Sequence, residues 1–343
     1  MPDNSRSILI IYTGGTIGMV EGDKNKSLRP LDFEHISNEV PEIKRFPHLI
    51  SCISLDEVID SSNLKPENWV QMAEIIFENY SKFDGFVVLH GTDTMAYSAS
   101  ALSFMLENLN KPVIFTGSQL PIGLIRTDAR ENIISAIEIA AAKHLHGPMV
   151  PGVTIYFENK LFQGNRTTKF SAENFNAFIS PNYPVLAESG VHLKYHQEAI
   201  LHPKQGSDLI LYKNLNKNLA LLKIFPGISP IFVQSIFNTP ELEAVILETF
   251  GSGNALTEKW FEDILANFIS HGGIVLNVTQ CPAGMVEQGK YETSAQLNRV
   301  GVIGGSDITT EAAITKLMFV LGQESDHEKK LLFLNNSIRG EIS

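Results

Sequence analysis

Apolar residues along this chain fall into short runs, and three of those in the first half are closed by glycine and hydroxyl residues. Ile8-Leu9-Ile10-Ile11 is the centre of a predicted strand over Ser7 to Tyr12. Val87-Val88-Leu89 is the centre of another that starts at Phe86. Runs this short, rich in Val and Ile, read as strands buried on both faces of a parallel sheet. Leu49 to Ile59, Pro112 to Gly117 and Val150 to Phe157 predict three more. Between them the period becomes helical. Trp69, Met72, Ile75, Ile76 and Tyr80 form a stripe behind Pro66. Met95, Ala99, Leu102, Leu106 and Leu109 form one behind Thr94, and Ile133, Ile134, Ile137 and Ala140 to Ala142 lie within a helix over Arg126 to His144. Gly190 to Ile200 reads as an edge hairpin strand. His202 to Asn218, with Pro203, Gly206 and several Lys and Asn, is the linker candidate. Beyond it, strands at Leu219 to Phe225, Ala244 to Leu247 and Gly273 to Val278 alternate with helices, including Glu258 to Ser270 and Thr310 to Leu321. That alternation implies a parallel sheet in this half.

With 343 residues the chain is long enough for two domains and a sizeable core. Its 43% apolar and 19% charged residues are those of an ordinary globular protein. The net charge of −11, with Lys and Arg nowhere clustered, argues against nucleic acid or an anionic membrane as partner. No stretch reaches the ~20 apolar residues of a membrane span, and the first apolar run is too short for a signal-peptide core. The two cysteines, Cys52 and Cys281, lie far apart, so no disulfide framework is expected and a reducing compartment fits. The expected location is the cytoplasm. The ten histidines are scattered, and His144-Leu145-His146 has no acidic partner nearby, so no metal is expected. His90 is expected to pack beside its strand end. Gly14-Gly15 fits neither nucleotide-binding glycine pattern, so no cofactor is expected.

Candidate chemistry stands at the carboxyl ends of the first strands, where open α/β sheets place their ligand sites. The first ends in Thr13-Gly14-Gly15-Thr16-Ile17-Gly18, whose glycines permit a sharp turn and a close approach. The second ends in His90-Gly91-Thr92-Asp93-Thr94-Met95, where Thr92, Asp93 and Thr94 can each cap the following helix. Met19 to Pro30 is polar, without periodicity, and reads as a mobile loop beside the first turn.

Together the two glycine–threonine turns resemble the two signatures of the bacterial-type L-asparaginase family. The likeness extends to Asp60-Ser61-Ser62, Thr116-Gly117-Ser118-Gln119, Asn165 to Lys169, Thr279-Gln280-Cys281 and Gly301 to Asp307, and so covers essentially the whole chain. It is closest to the cytoplasmic type I branch. The resemblance implies an α/β protein of two α/β domains. The larger N-terminal one has a mixed sheet and carries the active site; the smaller C-terminal one has a flavodoxin/Rossmann-like parallel sheet. The expected bounds are 1–195 for the first, 196–217 for a linker and 218–343 for the second.

The resemblance also implies hydrolysis of L-asparagine, with glutamine as a slow side substrate and a homodimer or homotetramer as the working form. Amide hydrolysis needs a nucleophile, a proton acceptor and donors for the developing oxyanion. By the family pattern Thr16 is the primary nucleophile. Thr92 activates water or takes a nucleophilic part itself. Lys169, held by Asp93, relays the proton, an arrangement similar to a hydroxyl–lysine variant of the hydrolase triad. Gly91 and Thr92 contribute oxyanion amides. Asp93 pairs with the substrate ammonium, Ser61 takes its carboxylate, and Asp60, Ser62 and Ser118 line the pocket. The family's lid tyrosine has no counterpart, because Gly18 to Asp32 contains no tyrosine. Either another residue replaces it or the Thr92–Lys169 relay carries more of the work. Tyr12 should point elsewhere. The other readings are a homologue that binds asparagine or aspartate without turnover, and an RNA-directed amidotransferase subunit, which the acidic charge disfavours.

Overall fold

The structure is a computed structural model and describes residues 5–18, 33–145, 147–203, 206–289 and 292–343. The predicted loop Met19 to Pro30 lies outside the described residues. The chain divides into two compact units, Met1–Lys213 and Asn214–Ser343.

The first unit is built on an eight-stranded mixed sheet. Its strands are β1 (Ser7–Tyr12), β2 (Leu49–Ser54), β3 (Gly85–Leu89), β4 (Pro112–Thr116), β5 (Gly152–Phe157) and β6 (Lys160–Gln163). After a two-stranded hairpin, β7 (Thr168–Lys169) with β8 (Phe178–Ile179), β9 (Ala187–Ser189) and β10 (Leu193–Tyr195) complete it. The order is β10-β9-β6-β5-β4-β3-β1-β2. The strands β2, β1, β3, β4 and β5 pair in parallel, and β6, β9 and β10 add on antiparallel. Helices α1 (Phe33–Glu39), α2 (Pro66–Asn79), α3 (Met95–Met105) and α4 (Ala129–Ala141) surround it. Every residue of β3 and β4 is buried, as their unbroken apolar runs require. Ile8, Ile10 and Tyr12 share one core with Val87, Leu89 and Ile114 and with Ile133, Ala136, Ile137 and Ala140 of α4. Tyr12 therefore points into the core.

Three local expectations are corrected. The stripe through Leu106 and Leu109 predicts too long a helix. The helix α3 stops at Met105, because Leu106–Glu107 pairs with Ile210–Leu211 and Asn108 takes φ +62°. The helix α4 starts at Ala129 and not Arg126, because the Asp128 carboxylate turns back to accept the Gln119 and Leu120 N–H groups. The edge segment Gly190 to Ile200 is only partly strand. A hairpin of β9 and β10 ends at Tyr195, and Gln197–Ala199 is a 3₁₀ turn. The strand β6 has no counterpart among the predicted elements. It folds back on β5 through Glu158 and Asn159, at φ +41° and +66°, the left-handed pair that a two-residue hairpin turn demands.

The second unit has a four-stranded parallel sheet in the order β11 (Leu219–Lys223), β12 (Ala244–Thr249), β13 (Ile274–Thr279) and β14 (Ile303–Gly304). Around it lie α5 (Pro230–Phe237), α6 (Lys259–Ser270), α7 (Glu292–Arg299), α8 (Thr310–Gln323) and α9 (His327–Asn335). Leu222, Val245, Leu247, Phe261, Leu265 and Val275 are central to its core. Lys316 of α8 is fully buried against Glu341, with Nζ 2.6 Å from Oε1. Burial pushes the Lys316 ammonium below its usual range, and the Glu341 charge opposes that shift.

Candidate active site

The ends of β1 and β3 are fastened together by Thr13, whose N–H and hydroxyl both donate to the Leu89 carbonyl at 3.0 Å. Just beyond, Gly14 and Gly15 take φ +130° and +89°. Gly15 has its neighbour as well as its φ against any side chain: a Cβ there would stand 2.5 Å from the Gly91 backbone. A Cβ on Gly91 would stand 2.5 Å from Ser61 Oγ. Three chain segments thus meet in van der Waals contact at Gly15, Gly91 and Ser61. Thr16 and Thr92 each stand one residue past this contact. Thr16 opens a 3₁₀ turn to Gly18 and is half-buried.

Ser61 is buried, and its carbonyl accepts the Thr94 hydroxyl at 2.8 Å. Thr94 occupies the N-cap position of α3 without capping it. Its backbone (φ −119°, ψ 16°) is not extended as a capping residue requires, so its hydroxyl serves Ser61 instead. The exposed Asp60 carboxylate is engaged at 2.9 Å by the Ser62 N–H and at 2.8 Å by its hydroxyl. It shapes the turn that presents Ser61.

Lys169 reaches Thr92 and Asp93 from the β7–β8 hairpin. Its Nζ lies 2.9 Å from Thr92 Oγ1 and 2.6 Å from Asp93 Oδ1. Thr92 is 8% exposed, whereas the Asp93 side chain is 62% exposed and open to a ligand. The Ser118 hydroxyl turns to the Leu120 carbonyl at 2.6 Å. Its neighbour Gln119, absent from the predicted site residues, accepts the Thr92 hydroxyl on Oε1 at 3.2 Å. The motif Thr116 to Gln119 marks this segment, with Ser118 as its expected pocket residue.

Behind the site, His90 is 1% exposed. Its Nδ1 lies 2.6 Å from the Gly91 carbonyl and its Nε2 2.8 Å from Ser98 Oγ. The carbonyl only accepts, so Nδ1 carries the proton, and Ser98, which accepts from Trp69 Nε1 at 2.9 Å, donates to Nε2. Burial lowers the His90 pKa to about 4, against which the Gly91 hydrogen bond acts, so the ring is neutral at physiological pH.

A two-unit α/β chain that gathers a threonine hydroxyl, a lysine and an aspartate at parallel strand ends has the make-up of a hydrolase. Residues 7–201 match the family model described as asparaginase, N-terminal, and residues 218–331 match the glutaminase/asparaginase C-terminal domain. The chain is 41% identical over 340 residues to L-asparaginase 1 of Escherichia coli strain K12, with 98% of each chain covered. It is 37% identical to the 60 kDa lysophospholipase of Mus musculus, across 98% of this chain and 63% of that protein. The crystal structure of L-asparaginase I from Vibrio cholerae matches with a TM-score of 0.89 at 37% identity over 99% of both chains. The chain belongs to the bacterial-type L-asparaginase family, in its type I branch.

Proposed function

We propose that the protein hydrolyses L-asparagine to L-aspartate and ammonia. The observation that carries this reading is Lys169 Nζ in hydrogen-bond reach of both Thr92 and Asp93, beside a turn that presents Thr16. The L-asparaginase 1 of Escherichia coli supports the substrate. Thr16 attacks the side-chain amide carbon, the C–N bond breaks, and ammonia leaves with the added proton. Water then cleaves the Thr16 ester, releasing aspartate and restoring the hydroxyl. Thr92 activates that water or takes a nucleophilic part, and its proton passes to Lys169 in the neutral form. The amides about Gly91 and Thr92 receive the oxyanion. Asp93 meets the substrate ammonium and Ser61 its carboxylate, a charged hydrogen bond of this kind contributing ~1.5–3 kcal/mol. Glutamine is longer by one methylene, a difference that pockets resolve by only ~1–3 kcal/mol, so it is a slow side substrate.

The working form is a homodimer or homotetramer in the cytoplasm. Exposed Leu221, Phe225 and Phe232 in the second unit supply apolar surface for assembly. No disulfide joins Cys52 and Cys281, and no helix among the described residues is long and apolar enough to cross a membrane. Ammonia release by the purified protein, with L-asparagine and L-glutamine compared over a range of concentrations, tests the reading. Rapid release from asparagine is expected. A folded protein that binds aspartate and releases none is instead a non-catalytic homologue.

A further inference from the structure

Gln119 lies between Thr92 and the loop that follows Lys169. Its backbone N–H donates to both Asp128 carboxylate oxygens, at 3.1 and 2.9 Å. Its side-chain nitrogen lies 3.1 Å from the Asn174 carbonyl and 3.4 Å from that of Ala172, in the connection between β7 and β8. An amide nitrogen only donates and an amide oxygen only accepts. The two carbonyls therefore fix which way the amide faces, and the oxygen must be the atom turned to Thr92.

That settles the Thr92 proton. A hydroxyl has one proton and two lone pairs. Gln119 Oε1 has none to give, so the Thr92 proton points at Gln119, and Lys169 Nζ, 2.9 Å away, donates to a Thr92 lone pair. In this setting Lys169 is a donor and cannot act as a base. For the relay to engage, Lys169 must lose a proton and the Thr92 hydroxyl must rotate from Gln119 toward Nζ.

We propose that Gln119 is a positioning residue that gives the Thr92 hydroxyl a second, resting orientation and thereby sets the pH at which the Thr92–Lys169 relay engages. The inference rests on the hydrolytic reading above. Gln119 makes and breaks no covalent bond, and proton transfer stays with Thr92 and Lys169. It stabilises the resting state by one neutral hydrogen bond, which the engaged state lacks. Among the described residues, the charged groups about it are Lys169 and Asp93 across Thr92, Asp128 beneath its backbone, and Glu173 on the loop between its two carbonyl partners.

The test is the kcat–pH profile of Gln119→Leu and Gln119→Glu against the wild type, with KM and thermal midpoint measured alongside. Leucine removes the resting acceptor, so the acid limb moves to lower pH by about half to one unit, the equivalent of one hydrogen bond. Glutamate is the stronger acceptor and adds a charge that favours protonated Lys169, so its acid limb moves to higher pH. Opposite displacements, with KM changed less than about threefold, are the expected result. A merely structural role lowers activity in both variants without opposed shifts. That result, or two unmoved profiles, overturns the inference while wild-type turnover leaves the hydrolytic reading standing. A wild type that releases ammonia from neither amide overturns the hydrolytic reading itself, and the inference with it.

Discussion

Lys169 is held by two partners, and its replacement separates chemistry from binding. Lys169→Met keeps an unbranched apolar stem as far as the Cε position and removes the terminal nitrogen with its charge. It is expected to lower kcat by about 10²–10⁴-fold, the range for loss of a positioned proton carrier, with aspartate still bound by calorimetry. An active Lys169→Met enzyme would take the lysine out of the relay. Thr16→Ala and Thr92→Ala are each expected to abolish ammonia release and leave the circular dichroism spectrum unchanged; normal turnover by either would remove that threonine from the scheme. How far these residues were legible differs. Thr16, Thr92 and Asp93 follow strand-end glycines and can be picked out from local pattern. Lys169 cannot, because nothing near it signals a partner 77 positions away, and only the family likeness pointed to it. Gln119 was not legible as a partner of Thr92, since its role depends on loop carbonyls that orient its amide.

Among elements, the strand ends matter most. Gly15→Ala combines a disfavoured φ with a clash against the Gly91 backbone. It is expected to cost about 2–4 kcal/mol in urea unfolding and most of the activity. At the end of β3, His90 gives the first unit an acid limit. In the folded chain it takes up a proton only near pH 4, against 6.5 for its ordinary value. Between those values the unfolded chain binds more protons, so stability rises with pH. The contribution is complete above about 6.5 and is lost as pH falls toward 4, a span worth roughly 3 kcal/mol. His90→Asn is expected to flatten this limb in unfolding measured between those pH values; an unchanged slope would point to another group. The strands β1, β3, β4 and β5 were legible because burial on both faces leaves apolar runs. The end of α3 and the whole of β6 were not, since a left-handed Asn108 and the Glu158-Asn159 turn leave no hydrophobic signature.

At the scale of the molecule, the two units are secured in different ways. The first relies on its layered sheet. The second encloses an ion pair, and the Glu341 carboxylate also accepts the Ile338 and Arg339 N–H groups at 3.0 and 2.7 Å. Glu341→Gln strands a buried Lys316 charge and is expected to destabilise the second unit by about 3–5 kcal/mol, read as an early transition in denaturant. A single unaltered transition would show that the pair contributes little. The alternation of strands and helices made the parallel sheet of this unit legible, whereas nothing in the pattern tied Glu341 to a lysine in α8. The distances along the chain that separate the site residues have a further consequence. Gly15 must meet Gly91, and Lys169 must meet Thr92, before the proposed site is assembled. Pairings this remote in sequence form slowly, because loop closure precedes any gain from contact. On the proposed scheme, a chain emerging from the ribosome lacks the Lys169–Thr92 contact until the β7–β8 hairpin has been synthesised and docked. During refolding, the return of turnover will therefore trail the return of helical signal, and enzymatic activity becomes a clock for the last step of assembly.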